Sequence, residues 1–324
     1  MEKRELGQTG MQVSVISLGC WAMGGQLWGP ADDAASVAAI ARALDRGINL
    51  IDTAPVYGFG HSEEVVGQGI RGRRDQVYIS TKCGLKWDDQ GNVTYDASRP
   101  RILQEIDDSL RRLQVDYIDL YQIHWPDPAP PIEEYATIMA ELQQQGKIKA
   151  IGVSNFTVEQ MAEMMKYCRI DSLQPPYNMF LRQIEEFILP FCHQHNIGVI
   201  SYGPMYQGML TGKFFLDGRT PTDPLRAQHS EFRPERFDVN RDALLKLKDV
   251  ADDLGVDLAQ LAINWVICQP GITSAICGAR NPQQVEDNVA AASWRLSAQD
   301  LARIDEILQE RLNRLESRGQ PVQA

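Results

Sequence analysis

Between Val15 and Ile276 the sequence repeats one unit eight times, a short apolar run followed by a helical pattern. The runs are Val15-Ile16-Ser17-Leu18-Gly19, Asn49-Leu50-Ile51-Asp52, Val77 to Lys82, Ile118 to His124, Ala150 to Ser154, the weaker Ser172 to Pro175, Gly198 to Tyr202, and Ile272 to Ile276. Parallel strands need crossover connections, usually helices, so this alternation predicts a parallel α/β sheet. Eight units close it as a (β/α)8 barrel of the TIM type. An open doubly wound sheet is the alternative, but no G-x-G-x-x-G follows the first strand, so its usual dinucleotide turn is missing.

Local signals place the other elements. Lys3 to Leu6 and Met11 to Val13, separated by Gly7-Gln8-Thr9-Gly10, read as an N-terminal hairpin. Helical patterns span about 33–46, stopped by Gly47, then 98–112, 132–145, 184–195, 241–254, 258–268, 282–291 and 298–315. Ser62, followed by Glu63 and Glu64, reads as an N-cap, and Thr157 as another. The segment from Gly203 to Asp238 lacks periodicity and is rich in Gly, Pro and charge. Strand-helix units flank it, so it reads as a flap over the C-terminal face and not as a linker. The expected organisation is one barrel domain over residues 1–324.

A net charge of −11 excludes nucleic acid and anionic membranes as expected partners. No apolar run approaches the length of a membrane span, and the first residues are too polar for a secretion signal. The six cysteines form no C-x-x-C pair, which fits reduced thiols in the cytoplasm. Nothing in the sequence fixes an oligomeric state.

The chemistry lies where strands two, three and four stop. Asp52 ends the second, Lys82 the third and His124 the fourth, and Tyr57 lies in the loop just after Asp52. Ile48, Leu50 and Asp52 are expected to share a strand face. An ammonium beside a phenol favours the phenolate, so Lys82 is expected to lower the pKa of Tyr57. Asp52 would hold Lys82 charged, and neutral His124 would orient a substrate oxygen. Each residue alone has an ordinary structural explanation; the combination suits proton donation to an oxygen as hydride reaches its carbon. No side chain supplies hydride, so a nicotinamide is required.

Asn49 to Ala54 with Tyr57-Gly58 and Ser62-Glu63-Glu64-x-x-Gly67 resembles the signature of the aldo-keto reductases. So do Ile79 to Lys82, Leu120 to Trp125, and Ile151 to Phe156. The resemblance covers essentially the whole chain. It is nearest the bacterial branch related to potassium-channel β-subunits and inositol-catabolism reductases. It implies the barrel, an extended nicotinamide cofactor across the strand ends, and the roles given above for Asp52, Tyr57, Lys82 and His124. By position it also implies that Ser154, Asn155 and Gln174 bind the carboxamide and that Tyr202 stacks on the ring. Gly208, Leu210 and Lys213 would form the pyrophosphate loop, with Arg226 also reaching phosphate. Gly278, Arg280, Gln284 and Asn288 would hold the adenosine end, with Arg280 on the 2′-phosphate. The implied cofactor is NADP(H). NAD(H) stays open, because Gly278-Ala279 and Gln284 replace the more basic pattern of many members.

Trp21, Trp28, Trp87 and Trp125, together with the flap, are expected to recognise a small-molecule carbonyl or alcohol. The expected activity is therefore NADP-dependent carbonyl reduction or alcohol oxidation. The alternative is a cofactor-bound regulatory module like the channel β-subunits.

Overall fold

The computed structural model describes residues 1–25, 28–219, 221, 222, 224–227 and 229–320. The eight apolar runs become strands β1 (Ile16–Gly19), β2 (Leu50–Asp52), β3 (Tyr78–Cys83), β4 (Ile118–Ile123), β5 (Ile148–Ser154), β6 (Ser172–Gln174), β7 (Gly198–Tyr202) and β8 (Ile272–Gly278). Neighbours in the chain are neighbours in the sheet, all parallel, and β8 pairs back onto β1 through Cys277 with Leu18 and Gly278 with Gly19. The sheet is a closed (β/α)8 barrel.

Side-chain alternation divides each strand between two environments. Leu50, Leu120, Ala150, Ile200 and Ile276 face inward and pack with Leu6, Met11 and Val13 of the N-terminal hairpin Lys3–Glu5/Gln12–Ser14. Fully burying a side chain such as Leu6 or Leu50 contributes roughly 1.5–3 kcal/mol. The outward residues, among them Ile51, Ile79 and Ile151, join the larger cluster formed with the helices. Ile48 belongs to that outer cluster because it precedes β2; only Leu50 and Asp52 share the inner face. Toward the strand ends the inner face turns polar, with Asp52, Ser80, Lys82, Gln122, Ser154 and Gln174 all buried.

The flap is more ordered than its sequence suggests. It contains 3-10 turns at Tyr206–Thr211 and Ser230–Phe232 and a short helix at Pro224–Ala227. The next helix begins at Pro234, well before 241, and runs to Leu254. Its first turn, Pro-Glu-Arg-Phe, reads as polar loop because its arginine is buried by pairing and not by apolarity. Glu231 accepts from Arg236 at 2.7 Å, from Arg311 at 2.8 Å and from Asn240 at 2.7 Å. Positions 220, 223 and 228 of the expected flap lie outside the described residues. A second hairpin, Leu85–Trp87 with Val93–Tyr95, follows β3 and was not anticipated.

Among the described residues no helix is long and apolar enough to cross a membrane. The cysteines are unbridged. Burial pushes the thiols of Cys20, Cys83 and Cys277 above their ordinary range, which keeps them protonated and poorly nucleophilic.

Candidate active site

Asp52, at the inner end of β2, is the hub. Its Oδ1 accepts from Lys82 Nζ at 2.7 Å. Its Oδ2 accepts from Ser80 Oγ at 2.9 Å, Gln174 Nε2 at 2.8 Å and, at the limit, Gln122 Nε2 at 3.5 Å. Three donors thus crowd Oδ2, while Oδ1 accepts the ammonium. Lys82 is fully buried, and its ammonium also donates to Thr53 O at 2.9 Å and to the Tyr57 hydroxyl at 3.3 Å. All three N–H groups are thereby used. Isolated in such a place the charge would cost several kcal/mol, so Asp52 is required as its counter-ion.

Two glycines fix the turn that delivers Tyr57. Gly58 has φ 64°, and a Cβ there would meet Gly24 O at 2.4 Å. A Cβ on Gly24 would in turn meet the Tyr57 carbonyl carbon at 2.6 Å. The turn after β2 thus lies directly on the 3-10 turn Trp21–Gly24 after β1, a contact open only to glycine. Ser62 reinforces it and does not act as the expected cap: the helix His61–Gly69 is capped at Gly60. The Ser62 hydroxyl donates to Cys20 O at 2.9 Å and lies 2.9 Å from Thr53 Oγ1. Glu63, also buried, accepts from Thr81 Oγ1 and Arg112 Nε, each at 2.6 Å. These signature residues hold the framework together.

The protonation states suit an acid. Burial pushes Tyr57 up and Lys82 pulls it down; burial prevails, so its pKa lies above the ordinary value. The expectation of a lowered pKa is thus overturned, because desolvation of the phenolate outweighs its attraction to the ammonium. Burial opposes the Lys82 ammonium, yet Asp52 more than offsets this and the pKa is raised. His124 follows β4 directly, with its ring 5.8 Å from that of Tyr57 and nearly perpendicular. Burial, and then the Lys82 charge, hold its pKa well below the ordinary value, so it is neutral at physiological pH.

The residues expected at a cofactor sit around the other strand ends. Ser154 Oγ donates to Gln174 O at 2.9 Å, and Gln174 reaches Asp52. Asn155, at φ 63°, donates to His124 O at 3.1 Å and to Ser154 Oγ at 2.9 Å, and accepts from the Tyr202 hydroxyl at 3.0 Å. Gly208 and buried Leu210 lie in the turn Tyr206–Thr211, and Lys213 just beyond is exposed. Arg226 donates to Gln207 O at 2.6 Å and lies over Trp28, 4.9 Å from the ring centre. Past β8, Asn288 Nδ2 donates to Gly278 O at 3.2 Å, and the backbone N–H of Arg280 donates to Gln284 Oε1 at 2.7 Å. The Arg280 guanidinium donates to Trp28 O at 3.0 Å.

The tryptophans divide. Trp21 stands 6.0 Å from Tyr57 and 5.2 Å edge-to-face from Trp28, which itself bridges to the two arginines. Trp87, on the unanticipated hairpin, stacks on Phe59 at 5.3 Å, and Trp125 is exposed beside His124. Phe59 was missed in the sequence. It has a left-handed backbone at φ 55°, costly for a bulky residue, and only its place in the Tyr57 turn hinted at a role. Gln122 and Ser80 were missed too, although Gln122 has the same inward parity as His124.

A family model described as the aldo/keto reductase family matches residues 15–309. Aldo-keto reductase YhdN of Bacillus subtilis is 44% identical, covering 97% of this chain and 95% of that protein. An NADH-specific methylglyoxal reductase of Escherichia coli is 36% identical, covering 93% and 96%. Among solved structures, the glycerol dehydrogenase AKR11B4 of Gluconobacter oxydans superposes with a TM-score of 0.90 at 41% identity, covering 96% of each chain. An aldo/keto reductase of Klebsiella pneumoniae, solved with NADP and acetate, gives 0.74 at 31% identity, covering 100% and 97%. Barrel, signature residues and matches along nearly the full chain agree: this protein belongs to the aldo/keto reductase family of oxidoreductases.

Proposed function

We propose that the protein, acting as one domain in the cytoplasm, reduces small-molecule carbonyl compounds with hydride from NADP(H), in preference to NAD(H), and oxidises alcohols in reverse. The observation that carries this reading is Lys82 Nζ, 2.7 Å from Asp52 and 3.3 Å from the Tyr57 hydroxyl. The donor set fits such a cofactor. Gln174 donates to Asp52, Ser154 donates to Gln174 O, Asn155 donates to Ser154, and Tyr202 donates to Asn155. Farther round, Arg226 and Arg280 with the N-terminus of helix Pro282–Ala290 offer positive charge for phosphates. Gln174 is joined to Tyr57 through Asp52 and Lys82, and the two arginines gather at Trp28.

The bound nicotinamide supplies the hydride. Tyr57 gives its proton to the carbonyl oxygen, and the Lys82 ammonium stabilises the phenolate that remains. Asp52 holds Lys82 charged and in place. Neutral His124 hydrogen-bonds the same oxygen and orients it toward Tyr57. Trp21, Trp28, Trp87 and Trp125, with Phe59, wall the substrate. Methylglyoxal and glycerol, named with two of the relatives, are the first probes to assay. Absence of turnover across an aldehyde and alcohol panel, with either cofactor, would sink the reading.

The direction of the Tyr57 shift gives a pH expectation. Reduction needs the phenol, which persists through neutral pH, so its rate should stay level up to about pH 9. Oxidation needs the phenolate as base, so its rate should still be climbing near about pH 10, the ordinary tyrosine value. Initial rates in both directions across pH test this, and an oxidation plateau below about pH 8 would contradict it.

Cofactor choice is assigned to Arg280. One guanidinium nitrogen is on Trp28 O, and the others have no protein partner among the described residues. A charge-assisted hydrogen bond contributes about 1.5–3 kcal/mol. Arg280→Ala should therefore weaken NADPH by about tenfold to a hundredfold and leave NADH nearly unchanged, as read by fluorescence titration. Equal losses would place Arg280 on the shared adenosine instead. A wild-type preference for NADH would overturn the NADP assignment.

A further inference from the structure

We infer that Gln122 is a positioning residue: with Ser80 it forms a donor chain that, beside Gln174, fixes Oδ2 of Asp52 and so holds Lys82 against Tyr57. This rests on the reading of Tyr57 as the acid. Gln122 is fully buried. Its Nε2 donates to Ser80 Oγ at 2.8 Å, and Ser80 donates to Asp52 Oδ2 at 2.9 Å. Strand register makes the arrangement close. Asp52 is paired with Ser80 across β2 and β3, and Lys82 with Gln122 across β3 and β4. The four residues span three neighbouring strands on the inner wall: the ion pair runs from β3 to β2, and the donor chain runs from β4 through β3 to the same Asp52.

Two further observations separate this from packing. Gln122 Oε1 is buried with no hydrogen-bond partner among the described residues, a state native proteins rarely keep. An apolar residue of the same size would avoid that penalty; what this side chain offers in exchange is its amide N–H. The next strand also makes room for it. A Cβ on Gly152, its partner across β4 and β5, would meet Gln122 Cγ at 2.7 Å and Oε1 at 3.2 Å.

With the chain cut, Asp52 Oδ2 keeps Gln174 but loses its other short hydrogen bond, and Lys82 is held less firmly beside the phenol. The pull of the ammonium on Tyr57 then weakens, and the phenol titrates higher. Gln122→Met preserves volume while removing both polar atoms, and Ser80→Ala cuts the chain at its other link. Tyrosine labelled with 13C at Cζ reports ionisation in the cofactor-free protein, with the Tyr57 signal assigned by its loss in Tyr57→Phe. Both variants should raise the Tyr57 midpoint by about half a unit to one unit. With methylglyoxal and NADPH, kcat should fall about tenfold at unchanged KM for NADPH. The double variant should be no worse than the worse single, because the two residues act as one chain. A midpoint and kcat at wild-type values in either stably folded variant would overturn the inference, even with melting temperature lowered. If wild type turns over no carbonyl while the midpoint still moves, the positioning stands and the functional reading fails.

Discussion

Tyr57→Phe is expected to lower turnover by about two to four orders of magnitude, the range for loss of a general acid. The phenylalanine keeps the ring, hence the contacts at 6.0 Å to Trp21 and 5.8 Å to His124. It loses one hydroxyl, whose protein partner is Lys82. Fold and cofactor affinity should therefore hardly move, and the loss should fall on kcat. In energy it corresponds to about 3–5 kcal/mol of barrier. Steady-state rates with methylglyoxal, paired with an NADPH titration, separate the two quantities. A variant that turned over like wild type would remove Tyr57 from the mechanism. One that lost NADPH binding in proportion would make it a binding residue.

Lys82→Met should have the other large effect, on two quantities at once. The ammonium is a buried counter-ion besides its place beside the Tyr57 hydroxyl, so its removal leaves Asp52 Oδ1 and Thr53 O without that donor. Breaking a buried pair by deleting one partner costs about 3–5 kcal/mol, or roughly 5–15 °C of melting temperature for a domain this large. Adding Asp52→Asn should recover part of that stability, because it removes the uncompensated charge, and none of the activity. The sign with pH follows from the raised Lys82 pKa. The pair's contribution is fully present below the ordinary value of 10.5 and is lost only as pH rises through the higher folded-state value. Thermal melts of the two single variants and the double at neutral pH test this. A Lys82→Met protein as stable as wild type would mean that Asp52 finds another counter-ion or a proton.

The barrel was legible because each strand is an apolar run closed by a turn, and because the acid, lysine and histidine fall at three strand ends. Periodicity failed where burial is polar. The helix at Pro234 was hidden because Arg236 and Glu231 bury against each other, which in sequence looks like solvated charge. Ser62 has the residue type and acidic followers of a cap, yet its hydroxyl is committed to Cys20 and Thr53, tertiary partners that no local pattern encodes. The sign of the Tyr57 shift could not be read from neighbours alone. It depends on how much water the phenolate loses, which only the packed mouth determines. Gln122 lay within a recognised stretch, but its importance comes from register across three strands, which pairing alone reveals.

The most direct test is a single turnover. Wild type and Tyr57→Phe are each loaded with one equivalent of NADPH, mixed rapidly with excess methylglyoxal, and followed by loss of nicotinamide absorbance. The account predicts complete oxidation of the bound cofactor by wild type, and the same amplitude in Tyr57→Phe at a rate lower by about two to four orders of magnitude. Equal rates in the two proteins, or no oxidation by wild type with any carbonyl while NADPH is bound, would contradict it.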